Sequence, residues 1–229
     1  MSYQIFYTGS KTPPKDQTII WTPTIEITYT LPHNEKQLLE MLGTKCNCVF
    51  FSKHGVIGFQ KYFPLLKHKV FAVGKSTKDL IESKWKILAQ QPKEQNAEGM
   101  IRLFRKTLPY PTVVIQGNKG RKDFSDWLYE EQWNFIAISV YRTDCTVNKV
   151  LRAQWSNNEN DYVFFTSPST IQGFLKTVNS ESLQNIKSKI ISIGPTTSSA
   201  VKNSNGVVYY ESPYPNITKL LLIKPFVKG

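Results

Sequence analysis

The chain has 229 residues, of which 40% are hydrophobic and 20% charged, and this composition is typical of a globular protein with one large core or two small ones. Its 29 Lys and Arg outnumber its 17 Asp and Glu, which gives a net charge of +12. The amino terminus lacks the basic and apolar segments of an export signal, and no apolar run is long enough to span a bilayer, so we expect a cytoplasmic protein that is not bound to membranes.

Short β-branched or aromatic runs alternate along the chain with amphipathic segments, a pattern that predicts βα units and parallel sheets. The predicted strands are residues 4–8, 18–21, 48–51, 70–73, 112–116, 135–141, 162–165, 190–193 and 207–210. The predicted helices are residues 35–42, 56–63, 77–83, 98–106, 122–131, 170–178, 196–202 and 217–223. Helix caps are predicted at Ser76, with Asp79 three residues later, at Asn96 before Glu98, and at Asn216 after Pro215.

A weak internal duplication divides the chain into two related halves. The first copy covers residues 49–59 and 70–77, and the second covers residues 164–174 and 190–197. Such self-similarity indicates that one structural unit occurs twice, and we expect each copy to form one lobe. The matched pairs are Ser52 and Ser167, Val56 and Ile171, Phe59 and Phe174, Gly74 and Gly194, and Thr77 and Thr197.

Two further β-prone runs, near residues 20–28 and 136–144, bracket the first copy. They are what a two-stranded antiparallel hinge between two lobes would need. The predicted fold is therefore α/β, with two lobes that each contain a parallel sheet flanked by helices and are joined by this β hinge. Lobe A comprises residues 1–23 plus 145–229, lobe B comprises residues 29–138, and the hinge strands are residues 24–28 and 139–144.

The positive charge is concentrated in residues 53–122, which hold 15 basic and 4 acidic side chains. A positive field attracts a polyanion such as a nucleic acid, an acidic membrane or a small polycarboxylate, although scattered lysines also serve solubility alone. The cysteines are odd in number and lack zinc-type spacing, so no disulfide framework and no metal site is expected. The scattered histidines are interpreted as surface or core residues rather than ligands or bases. The residues concerned are Cys46, Cys48, Cys145, His33, His54 and His68.

Hydroxyl residues follow predicted strands in both copies, at the start of the next helix. The first N–H groups of a helix have no partner within it and point past the carboxyl edge of a parallel sheet, where ligands bind in open α/β folds. Helix starts from both lobes would then line a shared cleft with hydrogen-bond donors. Each of these Ser and Thr residues has a simpler interpretation as an ordinary N-cap.

The segment 117–122, Gly-Asn-Lys-Gly-Arg-Lys, adds cations to the same edge of lobe B but matches no nucleotide-binding loop. The sequence contains no nucleophile elbow, catalytic triad or paired carboxylates. Catalysis, if any, is therefore expected to depend on positioning and hydrogen bonding.

Taken in order, these segments resemble the uroporphyrinogen-III synthase family. That family has a Phe-Thr-Ser strand end in each half and a Val-Gly or Ile-Gly-x-x-Thr turn after the next strand. The likeness extends over nearly the whole chain, and the ordered set is more specific than any single motif. The matching segments are Phe50-Phe51-Ser52, Val73-Gly74-Lys75-Ser76-Thr77, Val140-Tyr141-Arg142-Thr143, Phe165-Thr166-Ser167-Pro168-Ser169, Ile193-Gly194-Pro195-Thr196-Thr197 and Glu211-Ser212-Pro213-Tyr214-Pro215.

The resemblance implies a monomeric lyase without a cofactor, which cyclises the octacarboxylate hydroxymethylbilane with loss of water and inversion of the last pyrrole ring, in heme biosynthesis. Tyr141, matching the family's hinge tyrosine, would hydrogen-bond the departing hydroxyl, or else would simply pack at the hinge. The residues implied to hold the substrate's carboxylates are Ser52, Lys53, Ser76, Thr77, Arg121, Ser167, Ser169, Thr196 and Thr197.

Two departures from the family pattern are visible. Phe51 stands where the family has Thr, which removes one polar contact in lobe B. Residues 8–18, interrupted by Pro13-Pro14, are too short for the helix expected after the first strand. We therefore expect one sheet face of lobe A to be less covered, or to be covered by a partner.

Two other functions fit parts of the pattern. A non-catalytic two-lobed polyanion binder would use the basic segment 53–122 to bind nucleic acid, but the sequence has no RNP-like aromatic motif and no Arg-rich recognition helix. A periplasmic ligand-binding protein is also hinged and two-lobed, but the missing export signal argues against it. The preferred interpretation thus has a small-molecule substrate and no nucleic-acid partner.

Overall fold

A computed structural model describes residues 3–63, 68–213 and 217–225 of the chain. The chain divides into two compact units, one formed by Met1–Ile27 with Asp144–Gly229 and the other by Thr28–Thr143. We call these the discontinuous unit and the central unit. In chain order, the elements are β1 (Ile5–Tyr7), β2 (Ile19–Trp21), β3 (Ile25–Tyr29), α1 (Glu35–Leu42), β4 (Asn47–Phe50), α2 (Lys53–Tyr62), β5 (Lys69–Ala72), α3 (Lys75–Trp85), β6 (Ala89–Gln90), α4 (Ala97–Phe104), β7 (Thr112–Gly117), α5 (Asp123–Glu130), β8 (Phe135–Cys145), α6 (Lys149–Gln154), β9 (Tyr162–Phe165), α7 (Pro168–Val178), β10 (Lys189–Ser192), α8 (Pro195–Asn203), β11 (Val208–Glu211) and α9 (Ile217–Ile223).

The central unit is built on a sheet with strand order β3-β8-β7-β4-β5-β6, in which the pairs from β8 to β6 are parallel. Its central strands are apolar on both sides, as expected for a parallel sheet covered by helices on both faces. Helices α1 to α3 bury one face around Phe50 and Phe59. Helices α4 and α5 bury the other face around Phe71, Phe104 and Phe124.

The discontinuous unit is built on a sheet with strand order β11-β10-β9-β1-β2, and every pair in it is parallel. One face packs under α6, α7 and α8 around Phe165 and Phe174. The other face packs against α9, which contributes Leu220 and Leu221 beside Phe164. Among the described helices, three therefore cover one face and one covers the other, in agreement with the expectation of a less-covered face.

The segment between β1 and β2 contains no helix, as its prolines predict. It is held instead by Asp16, whose carboxylate accepts hydrogen bonds from Lys224 Nζ at 2.7 Å and from Thr18 Oγ1 at 2.6 Å. These bonds, led by the one from Lys224, lower the pKa of the Asp16 carboxyl to about 2. The ionised carboxylate thus ties this segment to the residue that follows α9.

Strands β3 and β8 are neighbours in the six-stranded sheet and both continue past the division between the units. In the central unit, Thr30 N donates to Val140 O at 3.1 Å, and in the discontinuous unit Thr146 N donates to Thr24 O at 2.9 Å. Residue numbers rise along one strand as they fall along the other, so the two strands run antiparallel. The proposed lobe boundaries, and action of this pair as a hinge, stay predictions.

Several local predictions need correction. Ser76 does not cap α3, because Gly74 occupies the N-cap position and Ser76 lies in the first turn. Helix α2 begins three residues earlier than predicted, since Ser52 provides its cap. Helix α6 and the two-residue strand β6 were not predicted, being too short for a clear periodicity. Asn96 does cap α4, with its Oδ1 accepting from Gly99 N at 2.8 Å, whereas Asn216, Tyr214 and Pro215 lie outside the described residues.

Candidate functional site

The carboxyl edge of the central sheet brings together most of the candidate residues of that unit. After β4 the chain turns into α2 at Ser52, whose extended backbone and side chain form the N-cap, with Oγ accepting from Gly55 N at 3.0 Å. Lys53 is the first residue of α2 and is half-buried. No acidic residue lies in the first turn of α2, so its N-terminal dipole is left uncompensated by a local carboxylate.

Tyr141 of β8 meets Ser52 at this edge. Ser52 Oγ donates to Tyr141 Oη at 2.9 Å while it accepts from the backbone N–H of Gly55. The serine hydroxyl is thereby oriented, and the phenol oxygen is an acceptor in this bond. Its own proton can be donated to another group, because a phenol both accepts and donates.

The phenol of Tyr141 is in its acid form at neutral pH. Burial raises the pKa of this phenol above its usual value of 10.0, and the hydrogen bond from Ser52 opposes that rise without reversing it. A hydroxyl that keeps its proton is a hydrogen-bond donor and, toward a leaving group, a weak general acid.

The loop after β7 fixes the position of Tyr141. A Cβ on Gly117 would lie 2.4 Å from the Tyr141 ring, so a residue larger than glycine would displace it. Asn118 N donates to Tyr141 O at 3.1 Å, and Asn118 Oδ1 accepts from Thr143 N at 2.9 Å. The first residues of the Gly-Asn-Lys-Gly loop thus brace the tyrosine, a role that sequence analysis did not assign to them.

The cationic part of that loop is less suited to anion binding than predicted. Arg121 is exposed, and its Nε lies 3.5 Å from Asp123 Oδ2. Asp123 and Asp126 occupy the first turn of α5, where their charges compensate the helix dipole. These two acidic side chains weaken the attraction of the start of α5 for a ligand's carboxylate. Contact of Arg121 with the substrate stays a prediction.

At the start of α3 the two hydroxyl candidates differ in exposure. Ser76 is exposed, whereas Thr77 is buried, with only 4% of its surface accessible, and its N–H donates to Gly74 O at 3.0 Å. Lys75 N donates to Gln95 Oε1 at 2.9 Å. The side chain of Gln95, which no sequence motif indicated, therefore takes up one of the backbone N–H groups in the first turn of α3. Thr77 is less accessible to a ligand than Ser76.

The carboxyl edge of the discontinuous unit repeats the arrangement. Ser167 caps α7 in a capping box with Thr170, and Pro168 takes the first helical position. Ser169 in the first turn is half-buried. Gly194 caps α8, with Thr196 exposed and Thr197 buried behind it. Neither helix has an acidic residue in its first turn, which leaves both starts suited to an anion.

Two residues outside the predicted set lie beside Tyr141. His54 in the first turn of α2 has its ring centroid 5.6 Å from that of Tyr141, and its Nδ1 is 2.9 Å from Tyr29 Oη. A signal for His54 was present in the duplication, because it aligns with Ser169, which was a candidate. Tyr29 had no such signal, since its place depends on how β3 packs.

Phe51, the departure from the family pattern, contributes apolar packing. Its ring centroid is 5.7 Å from that of Phe124, and it joins the core under α4 and α5. Within residues 3–63, 68–213 and 217–225, no group of three or more His, Cys, Asp or Glu is placed to hold a metal ion. The helices in those same ranges are all too short or too polar to cross a membrane.

Comparison with known proteins gives one family. Residues 16–221 match the family model described as uroporphyrinogen-III synthase HemD. No curated protein matches the chain by sequence. Among solved structures, the uroporphyrinogen-III synthetase of Helicobacter pylori is 18% identical with a TM-score of 0.68, covering 97% of this chain and 99% of that one. A mutant uroporphyrinogen III synthase of the extremely thermophilic bacterium Thermus thermophilus is 12% identical with a TM-score of 0.72, covering 98% of both chains.

Proposed function

The chain belongs to the uroporphyrinogen-III synthase family, and we propose on that premise that it cyclises hydroxymethylbilane to uroporphyrinogen III with loss of water, as a lyase of heme biosynthesis. The observation that carries the proposal is the family match over residues 16–221. A non-catalytic nucleic-acid binder is not favoured, because the charge excess equally suits an octacarboxylate substrate.

Substrate binding is proposed to use the helix starts at the carboxyl edges of the two sheets. The starts of α2, α7 and α8 carry no acidic side chain in the first turn, and the exposed or half-buried hydroxyls of Ser169 and Thr196 lie at two of them. Backbone N–H groups at a helix start hold a carboxylate with help from the dipole, each contact contributing about 0.3–1 kcal/mol when exposed. Several such contacts together would hold a flexible polyanion in one shape.

The chemistry is proposed to begin at Tyr141. Its phenol proton passes to the departing hydroxyl as the carbon–oxygen bond breaks, which releases water and leaves a cationic azafulvene and the Tyr141 phenolate. The substituted carbon of the terminal pyrrole then attacks, and the resulting spiro intermediate rearranges with the last ring inverted. The proton that ring closure displaces from the pyrrole carbon returns to the phenolate. The orientation of Ser52, which donates to the phenol oxygen at 2.9 Å, supports this role because that bond also stabilises the phenolate.

The free substrate also closes spontaneously to the uninverted isomer, so the protein's task is to favour one geometry of attack. The test is to supply hydroxymethylbilane and separate the type I and type III products. We expect type III to dominate with the protein present. A type III fraction no larger than in the protein-free blank would refute the proposed function.

Ser52→Ala separates capping from catalysis. Loss of the cap is expected to reduce the free energy of unfolding by about 1 kcal/mol. Loss of the bond to Tyr141 Oη is expected to slow turnover about fivefold, since a hydrogen bond contributes about 1 kcal/mol. Thermal unfolding and single-turnover rates measure the two effects.

The matched control is Asn96→Ala, which removes the side-chain cap of α4 in the same unit. We expect the same loss of stability from it with an unchanged rate. Equal rates for the Ser52 and Asn96 variants would show that the hydrogen bond from Ser52 to Tyr141 contributes nothing to turnover.

A further inference from the structure

His54 occupies a defined place beside the proposed proton donor. It lies in the first turn of α2, two residues after Ser52, and is half-buried. Its ring centroid is 5.6 Å from that of Tyr141, with an angle of 47° between the planes. The two rings are therefore close enough for a charge on the imidazole to act on the phenol.

Tyr29 of β3 anchors the imidazole, with its Oη 2.9 Å from His54 Nδ1. A phenol can donate to a neutral imidazole nitrogen or accept from a protonated one, so this bond survives a change in the charge of His54. Tyr29 is itself held by a bond from Tyr62 Oη to its carbonyl oxygen, at 3.2 Å. The anchor thus keeps His54 near Tyr141 in both charge states.

The two phenols beside His54 keep their protons near neutral pH. Tyr29 from β3 and Tyr141 from β8 face its ring, and burial raises the pKa of both phenols, so they remain neutral there. Lys53 precedes it on α2 and is cationic. An imidazole ordinarily changes its charge between pH 5 and 8, unlike these neighbours.

We infer that His54 is a positioning residue whose charge, held beside Tyr141 by Tyr29, controls how readily the Tyr141 phenol gives up its proton. This inference rests on the proposed function, in which Tyr141 protonates the departing hydroxyl. A cation next to the ring stabilises the phenolate that forms when the proton leaves. Proton transfer is therefore faster when His54 is protonated than when it is neutral.

The test compares turnover with the protonation of His54 between pH 5.5 and 8.5. Proton NMR of the imidazole locates its pKa in the wild-type protein, and single-turnover formation of type III product gives the rate at each pH. We expect the rate to fall about fivefold as pH rises through that pKa, because an opposite charge at this distance shifts acidity by about one unit or more. His54→Gln is expected to have the low rate throughout, without this pH dependence.

Two further variants separate positioning from folding. Tyr29→Phe keeps the ring but removes the anchoring hydroxyl, so both the NMR pKa of His54 and the midpoint of the rate profile should shift together. His33→Gln, which removes an exposed histidine of the same unit, should retain the wild-type profile. A wild-type profile in the His54→Gln protein, or a rate midpoint that differs from the His54 pKa, would overturn the inference. Absence of type III excess from the wild-type protein would instead refute the proposed function itself.

Discussion

Replacing Tyr141 by Phe is expected to slow formation of type III product about 100-fold, the lower end of the usual range for a general acid. Phe retains the ring that Gly117 and His54 contact, so packing is preserved while the donor is lost. The Ser52 hydroxyl then loses Tyr141 Oη as its hydrogen-bond acceptor. The effect on stability is expected to be small, because Ser52 still caps α2. Single-turnover rates measure the loss, and product affinity should change little.

The comparison for this variant is Tyr110→Phe. Tyr110 precedes β7 at the amino end of the same sheet, away from the edge where Tyr141 lies. We expect its loss of a hydroxyl to leave the rate within about twofold of wild type. A normal rate in the Tyr141→Phe protein would remove Tyr141 from the mechanism and leave it as an aromatic packed on the loop after β7.

Replacing Gly173 by Ala is expected to destabilise the protein by about 3 kcal/mol, the upper part of the range for an overpacked core. An added Cβ would lie 2.0 Å from Thr24 O. That carbonyl is held in place, since it accepts from Thr146 N at 2.9 Å and the Thr24 side chain donates to Thr170 O at 2.9 Å. Neither α7 nor the residue before β3 can yield without breaking these bonds. Chemical denaturation measures the change.

Destabilisation by Gly173→Ala would be opposite to the effect that this substitution has in a helix free of tertiary contacts. In an open helix, glycine to alanine would stabilise by about 1 kcal/mol through helix propensity. Gly194→Ala is the control in the same unit, because nothing lies within 4 Å of its added Cβ. Only the weaker capping by alanine applies there, a cost of about 0.5 kcal/mol. A Gly173→Ala protein as stable as wild type would mean that α7 and residue 24 are not in contact in solution.

The duplication aligns Gly173 with Gly58, and in the structure both glycines let a helix approach a backbone carbonyl closely. A Cβ on Gly58 would lie 2.5 Å from Val140 O of β8. In each unit, therefore, a helix backbone packs directly against a segment of the β3 and β8 pair. The sequence alignment marked these glycines as equivalent, but their partners are separated from them by more than 80 residues in the chain and could not be identified from it.

The order of strands and helices follows from local chemistry and could be predicted. Buried strands such as β4 and β9 are short apolar runs. Each is followed by a serine, Ser52 or Ser167, whose hydroxyl accepts a hydrogen bond from an N–H group at the start of the next helix. Where two cap types compete locally, prediction failed, as at Ser76. There the extended backbone of Gly74 places the helix start two residues earlier.

The sequence by itself determined the α/β class, the repeated strand-turn-helix unit and the family. It also indicated Tyr141, which ends the predicted strand 135–141, as a candidate residue. Only the tertiary structure decided which hydroxyls remain accessible and which are buried, as Thr77 and Thr197 are. It also decided that Ser52 donates to Tyr141, a residue 89 positions away, and that His54 and Tyr29 lie beside them. The physical reason is that propensity and capping act over a few residues, whereas the contacts of a side chain depend on which strands become neighbours in the sheet.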